Sequence, residues 1–240
     1  MVDQLRGRGR ELPAAGDVGA GVPGLPDEVR LWTIRADSGL GEEPDLSVLD
    51  ADERRRLAGF LREADRVRYA VAHVALRGVL GELTGVAPGA LRFGRETCPW
   101  CGAPHGRPML ASPSGGPEFS LSHGGGLVLI AVARTRVGVD VEPVPADGLV
   151  AELAQELHPA EQAAVRAVPE AARAGEFARV WTRKEAYLKG LGVGLGRGLG
   201  ADDVTSAIPG WQLVDLEPGE GHAGALAVES AHTRGPSPHG

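Results

Sequence analysis

Lysine is nearly absent from this chain. Of 25 basic residues in 240, all but Lys184 and Lys189 are arginine. No basic surplus exists either: the formal net charge is −7, the wrong sign for a general nucleic-acid binder. Two cysteines cannot build a disulfide framework. Aromatic residues make up only 4%, so the core must come mostly from Leu, Val and Ala. No run of about 18 uncharged apolar residues is present, which excludes a membrane-spanning helix. Arg6, Arg8 and Arg10 are not followed by an apolar segment, so the start does not read as a signal peptide, and a cytoplasmic location is expected. What is abundant is glycine (36) and proline (18), which implies many turns. Arginine serves wherever any cation will do. Two lysines close together therefore suggest a place where a compact, strongly hydrated ammonium is wanted.

The chain divides into a tail at 1–27, an N-terminal half at 28–134, a C-terminal half at 135–229 and a second tail at 230–240. The Gly, Ala and Pro-rich start has little to bury, so both tails are expected to be disordered. Residues 28–36 alternate as a first strand. Asp50 or Asp52 is placed to cap a helix carrying Arg54, Arg55 and Arg56. Asp65 is placed to cap a longer one ending at Gly85. Five prolines in 97–118 predict an irregular loop. Residues 118–123 and the apolar run 127–133 read as strands, with a hairpin turn at Arg134–Arg136 leading into Val137–Glu142. Helical patterns follow at about 147–168 and 171–190, then a Gly-rich loop and weak strands at 211–216 and 223–229. The fold class expected is α+β, with antiparallel strands and helices in both halves.

Gly138-Val-Asp140-Val-Glu142 puts two carboxylates on one face of a strand, with Val139 and Val141 toward the core. Like charges this close want a cation between them, and Mg²⁺ suits oxygen ligands. On the pentapeptide alone, a half-buried strand with a solvated acidic face is the commoner meaning. Further on, Phe177, Val180, Trp181, Leu188 and Leu191 form an apolar stripe at helical spacing. Lys184 falls inside it. It must either extend to solvent or meet a buried anion. Glu185 and Lys189 flank the stripe one turn apart, where an ordinary ion pair is the bland explanation.

Taken together, GVDVE and, about 40 residues later, WTRKEAYLKGLGVGL resemble the signature of the Sfp-type 4′-phosphopantetheinyl transferases: G-[IV]-D-[IV]-E, then W-x-x-K-E-[AS]-x-x-K, then G-x-G-L. Either motif alone is weak; both at the right spacing are specific. Residues 46–80, HGRP (105–108) and SLSHGGG (120–126) are similar to further segments of that family, so the resemblance spans roughly 28–200.

The resemblance implies two pseudo-symmetric halves and a reaction. The 4′-phosphopantetheine arm of coenzyme A would pass to a serine of an apo acyl or peptidyl carrier protein, releasing adenosine 3′,5′-bisphosphate. It implies Asp140, Glu142 and Glu185 as ligands of Mg²⁺ (or Mn²⁺), with Glu185 also the base for the serine hydroxyl. Lys189 would contact the pyrophosphate and Lys184 would support the same site. Arg107 would meet the 3′-phosphate of coenzyme A; His123, with Ser122 beside it, would meet a phosphate; Arg56 matches a basic position of the family. Tyr69 stands where several relatives carry a small hydroxyl residue. The Arg-rich stretch near 54–68 is expected to face the carrier, and a monomer is expected. Two other readings stay open on the motifs: a Mg²⁺-dependent phosphotransferase or hydrolase acting on a nucleotide pyrophosphate, and a silent module that binds carrier proteins or coenzyme A. Cys98, Cys101 and His105 have zinc-knuckle spacing, but a closed structural site needs a fourth ligand. The favoured expectation there is a plain loop with two reduced thiols.

Overall fold

A computed structural model describes residues 16–17, 29–36 and 44–230. Most of both expected tails lies outside these residues. Within the first, Gly16–Asp17 form a short strand, β1, paired to the next one. No helix among the described residues is long and apolar enough to cross a membrane.

Strands β1, β2 (Arg30–Arg35), β6 (Leu127–Ala133) and β5 (Glu118–Gly124) make one antiparallel sheet in the order β1-β2-β6-β5. Every residue of β6 is buried, as its unbroken apolar run requires of a strand covered on both faces. One face packs under α2 (Glu63–Thr84): Val71, Leu76 and Val79 of the helix meet Trp32, Phe119 and Ile130 of the sheet. The other face, through Leu31, Leu127 and Leu129, packs on a second sheet of β7 (Val137–Pro143), β9 (His222–Glu229) and β8 (Trp211–Leu216). That second sheet is covered outside by α5 (Arg173–Leu191). The result is four layers: helix, sheet, sheet, helix.

The expected hairpin at Arg134–Arg136 is corrected. β7 pairs with β9, not with β6, so the turn carries the chain from one sheet to the other. Alternating valines explain this. Val137, Val139 and Val141 are buried against the first sheet's face, which they can do only from a separate layer. A second correction concerns 97–118, where β4 (Pro108–Ser112) pairs with β3 (Arg92–Arg95) as a two-stranded ribbon. The prolines sit at its ends and in the loops beyond. A third concerns α2, which starts at Glu63, so that Asp65 lies in its first turn and does not cap it.

α1 (Ala51–Ala58) is capped as its sequence predicts. Asp50 accepts from the Asp52 and Glu53 amides, and Glu53 accepts from the Asp50 amide. Both acids then hold fully buried Arg77 of α2, at 2.8 and 2.7 Å. His73 joins through Glu53 at 3.0 Å. Burial pushes the Glu53 carboxyl up, but its bonds to His73 and Arg77 outweigh this and hold it at about 2. α3 (Asp147–Leu153) and α4 (Pro159–Ala167) lie between the sheets' switch and α5.

Candidate active site

α5 lies close on β7 because Gly138 has no side chain. A Cβ there would collide with the Ala186 carbonyl and sit 2.5 Å from the Gly190 amide. The approach brings the C-terminal turns of α5 over Asp140. Lys189 donates to Asp140 Oδ1 at 2.6 Å and to Ser122 Oγ at 3.0 Å. Ser122 in turn donates to Asp140 Oδ1 at 2.8 Å and accepts from the Val141 amide at 3.3 Å. All three places on its hydroxyl are filled, so Ser122 positions Asp140 and Lys189. Asp140 Oδ2 is buried and has no hydrogen-bond partner.

Glu142 and Glu185 share this neighbourhood. Burial raises the Glu142 carboxyl above its ordinary value. Asp140 and Glu185 add to the rise by repulsion, while Lys189 and Arg68 oppose it. Burial also raises Glu185, again with help from Asp140 and against Lys189. Three acids thus share Lys189 and Arg68, and negative charge is in excess. Hard oxygen donors, one of them orphaned in the interior, fit a divalent cation such as Mg²⁺. The three do not each bring an oxygen within 4.8 Å of the others, so gripping one ion together requires side-chain rotation.

Beside the acids opens a cavity of about 560 Å³, lined by Glu142, Lys189, His123, Arg56 and Arg107 among others. A second, of about 570 Å³, continues from it past Tyr69, His73 and Arg95 toward Phe93. Volumes of this size suit a nucleotide-sized ligand. Gly192, at φ +79°, lets the chain turn off α5 against Arg107, where a Cβ would lie 2.6 Å from its Cγ.

Several expected residues meet here: Asp140, Glu142, Glu185, Lys189, Ser122, His123 and Arg56. Burial, with the cations Arg68 and Lys189 nearby, keeps His123 below its ordinary value, so at neutral pH it offers an N–H and no full charge. Arg107 lines the cavity, but the residue is only 4% exposed and its guanidinium is already held by Glu96 (2.8 Å) and Glu118 (2.9 Å). That pairing does not favour a phosphate, because two carboxylates already surround it. Lys184 is placed elsewhere. It is 1% exposed, with its ammonium on Glu161 Oε1 at 2.7 Å and on the Asp202 carbonyl, on a different face of α5. Of its two expected fates, it meets the buried anion.

Sequence reasoning missed Arg68, His73 and Arg95. Tyr69 and His73 are one helical turn apart on α2 and stack at 4.0 Å, forming a wall of the cavity. That spacing is visible in the sequence. Burial and the Glu53 charge raise the Tyr69 phenol to about 12, so it stays protonated.

The model of the 4′-phosphopantetheinyl transferase superfamily matches residues 136–225, which include β7, α5 and β9. The 4′-phosphopantetheinyl transferase HetI of Nostoc sp. is 32% identical over 220 residues, covering 85% of this chain and 89% of that protein. The chain belongs to the 4′-phosphopantetheinyl transferase superfamily. A phosphopantetheinyl transferase of Thraustochytrium sp. is 29% identical over 72% of this chain and 64% of its own length. A 4′-phosphopantetheinyl transferase of Bacillus subtilis is 23% identical over 74% and 75%. The chain is therefore an enzyme, and of the three readings left open by the motifs the phosphopantetheinyl transferase is the one that stands. Enzymes of this family transfer the phosphopantetheine group of coenzyme A to carrier proteins. The mixed fold, with helices packed on antiparallel sheets, agrees with the transferase's family.

Proposed function

We propose that this phosphopantetheinyl transferase binds coenzyme A along the joined cavities and holds Mg²⁺ with Asp140, Glu142 and Glu185. The observation that carries the reading is Asp140 Oδ2, buried and unpartnered at the edge of the cavity between two acids whose protons are hard to remove. When bound, the metal supplies positive charge against the pyrophosphate and against charge that develops on the leaving group. Lys189 is anchored by Asp140 and Ser122, and adds a point charge for the same pyrophosphate. Arg56 is exposed at the junction of the two cavities, where it bonds the Tyr69 hydroxyl and forms no salt bridge with a carboxylate among the described residues, so the rest of its fork is available to a phosphate. His123 donates an N–H to the same ligand.

The acceptor is a serine of an apo acyl or peptidyl carrier protein. Its hydroxyl oxygen forms a new bond to the phosphorus that bears pantetheine, and the bond from that phosphorus to the bridging oxygen breaks. Adenosine 3′,5′-bisphosphate departs with that oxygen. Glu185 takes the serine proton; a carboxyl held above its ordinary value is better matched to this role than an ordinary one. Arg54, Arg55 and Arg66 on the outer faces of α1 and α2 offer cations to an acidic carrier. Two of them already share i,i+3 pairs with Asp52 and Glu63, which tempers the attraction. The chain acts as a monomer in this reading.

The test is incubation with coenzyme A, Mg²⁺ and a panel of apo carriers, read by intact mass. A gain equal to one phosphopantetheine arm on a carrier, abolished by chelation and restored by Mg²⁺, is expected. Transfer undiminished by chelation would remove the metal from the reading. Cleavage of coenzyme A without carrier labelling would remove the acceptor.

A further inference from the structure

Away from the acids, at the tip of the β3–β4 ribbon, the chain's two cysteines and one of its seven histidines converge. Cys98, Cys101 and His105 each bring a ligand atom within 4.8 Å of the others, and among the described residues no other group of three His, Cys, Asp or Glu does so. We infer that Cys98, Cys101 and His105 form a Zn²⁺ site that staples this loop and braces the neighbouring wall of the coenzyme cavity.

Three features carry the inference. The first is distance. Tetrahedral zinc with bonds of about 2.3 Å to sulfur and about 2.0 Å to nitrogen sets its ligand atoms about 3.6 Å apart, within the spread seen here. Cys101 Sγ lies 2.9 Å from His105 Nε2, so a metal needs only a small opening of that contact. The second is the backbone. The Trp100 and Cys101 amides point at the Cys98 sulfur, the Cys98 amide bonds the Ala103 carbonyl at 2.8 Å, and the Gly102 amide bonds the Cys98 carbonyl at 2.9 Å. Gly102, at φ +74°, closes the turn. Amides aimed at a sulfur hold it in place as a ligand. The third is the loop's setting. Cys98 is buried beneath the turn while Cys101 is exposed, which leaves a way in for the ion. From sequence the missing fourth ligand argued for a plain loop. The fold shows three ligands already gathered, and solvent supplies the fourth position.

The site has two connections to the cavity. His105 itself lines it, two residues before Arg107. Trp100, on the turn between the cysteines, lies under the Arg197 guanidinium at 5.5 Å. Arg197 belongs to the Gly-rich segment that follows α5, so the knuckle supports both the ribbon and that segment. Zinc here ties the loop through three protein ligands and keeps its fourth position open to solvent, so it is not a closed structural site; the carboxylate centre is separate from it.

The test uses the full-length protein, stripped with a strong chelator under reducing conditions. Zn²⁺ is titrated in competition with a chromophoric chelator, and Co²⁺ is used as a visible probe. One tight Zn²⁺ per chain is expected, with a thiolate-to-cobalt charge-transfer band and intense tetrahedral cobalt bands. Cys98→Ser/Cys101→Ser should lose both signals and keep the wild-type far-ultraviolet circular dichroism, since the loop lies outside the main core. Asp140→Ala, in contrast, should keep them. His105→Ala should weaken binding by more than about 100-fold, since loss of a mere outer-shell partner already costs about 10- to 100-fold. Several results would overturn the assignment: no stoichiometric zinc, zinc retained by the double Cys variant, cobalt bands lacking thiolate character, or a Cys98–Cys101 disulfide as the stable form under mild reductant.

Discussion

Lys184 and Lys189 stand on the same helix and end in opposite surroundings. Lys184 is sealed in: Glu161 receives its charge, the Asp202 carbonyl takes another bond, and Glu161 also accepts from the Val204 and His158 amides. Nothing on that side is left wanting. Lys189 reaches an acid too, but Asp140 keeps one buried oxygen unpartnered, two more acids crowd it, and a cavity opens alongside. Burial by itself therefore does not mark a functional lysine. A satisfied buried pair is architecture, whereas an incompletely satisfied one beside an opening is a place for a ligand.

The largest expected effect breaks the open side. Asp140→Ala should lower transfer on the order of 10³-fold, measured as kcat/KM for carrier labelling, with the circular dichroism of the wild type. A change below about tenfold would take Asp140 out of the centre. Lys189→Ala should follow with a loss of about 10- to 100-fold in kcat and a smaller change in Tm.

On the closed side the sign of the effect moves from rate to stability. Lys184→Met leaves Glu161 buried and unpaired, and should destabilise the fold by about 3–5 kcal/mol in urea unfolding, with near-normal kcat for the fraction that remains folded. Lys184→Met/Glu161→Gln should recover part of that loss. A Lys184→Met protein of normal stability but little activity would return Lys184 to the coenzyme site.

Arginines allow the same contrast at smaller scale. Arg56→Ala should raise the KM for coenzyme A about tenfold, equivalent to about 1.4 kcal/mol, with kcat little changed. Arg107→Ala should act mainly on Tm, since Glu96 and Glu118 lose their shared partner. A selective loss of discrimination against dephospho-coenzyme A in the Arg107 variant would show that it turns from those acids to a phosphate.

The smallest effect is one of pH. Glu142 and Glu185 are held above 4.5, so the folded form prefers them protonated. Their contribution to stability is fully present below the unfolded value and is lost as pH rises through their folded values. Glu53, held at about 2, is opposite: its contribution is present above 4.5 and lost as pH falls through about 2. In metal-free protein, Glu142→Gln should raise Tm between about pH 5 and 7, while Glu53→Gln should lower it. Equal shifts in both variants would contradict the distinction between site acid and structural acid.

Much of this was readable from residues alone. The cap at Asp50, the apolar strand over 127–133 and the stop at Gly85 follow from local rules, and the structure keeps them. The partnership of β7 was not readable, because its alternation is satisfied equally by pairing with β6 or by facing it from another layer. The site was legible as two motifs, but the division of labour between the lysines was not. Glu161, which decides it, lies outside both motifs and reaches Lys184 only after α4 has packed on α5. The carboxylates that hold Arg107 were not legible for a similar reason: Glu96 and Glu118 are distant in sequence and meet it only across the ribbon and β5.

The hydroxyls of Ser120 and Ser122 take the Val139 and Val141 amides at 3.0 and 3.3 Å. Where β5 meets β7, these side-chain oxygens stand in for the carbonyls of an ordinary ladder. The seam between the two sheets is thus a pair of buttons and not a zip, and one button is also the clasp on Asp140. Whatever grips the acids must tighten the joint, and whatever loosens the joint must blunt the grip, so the molecule's rigidity and its appetite for its ligands rise and fall together.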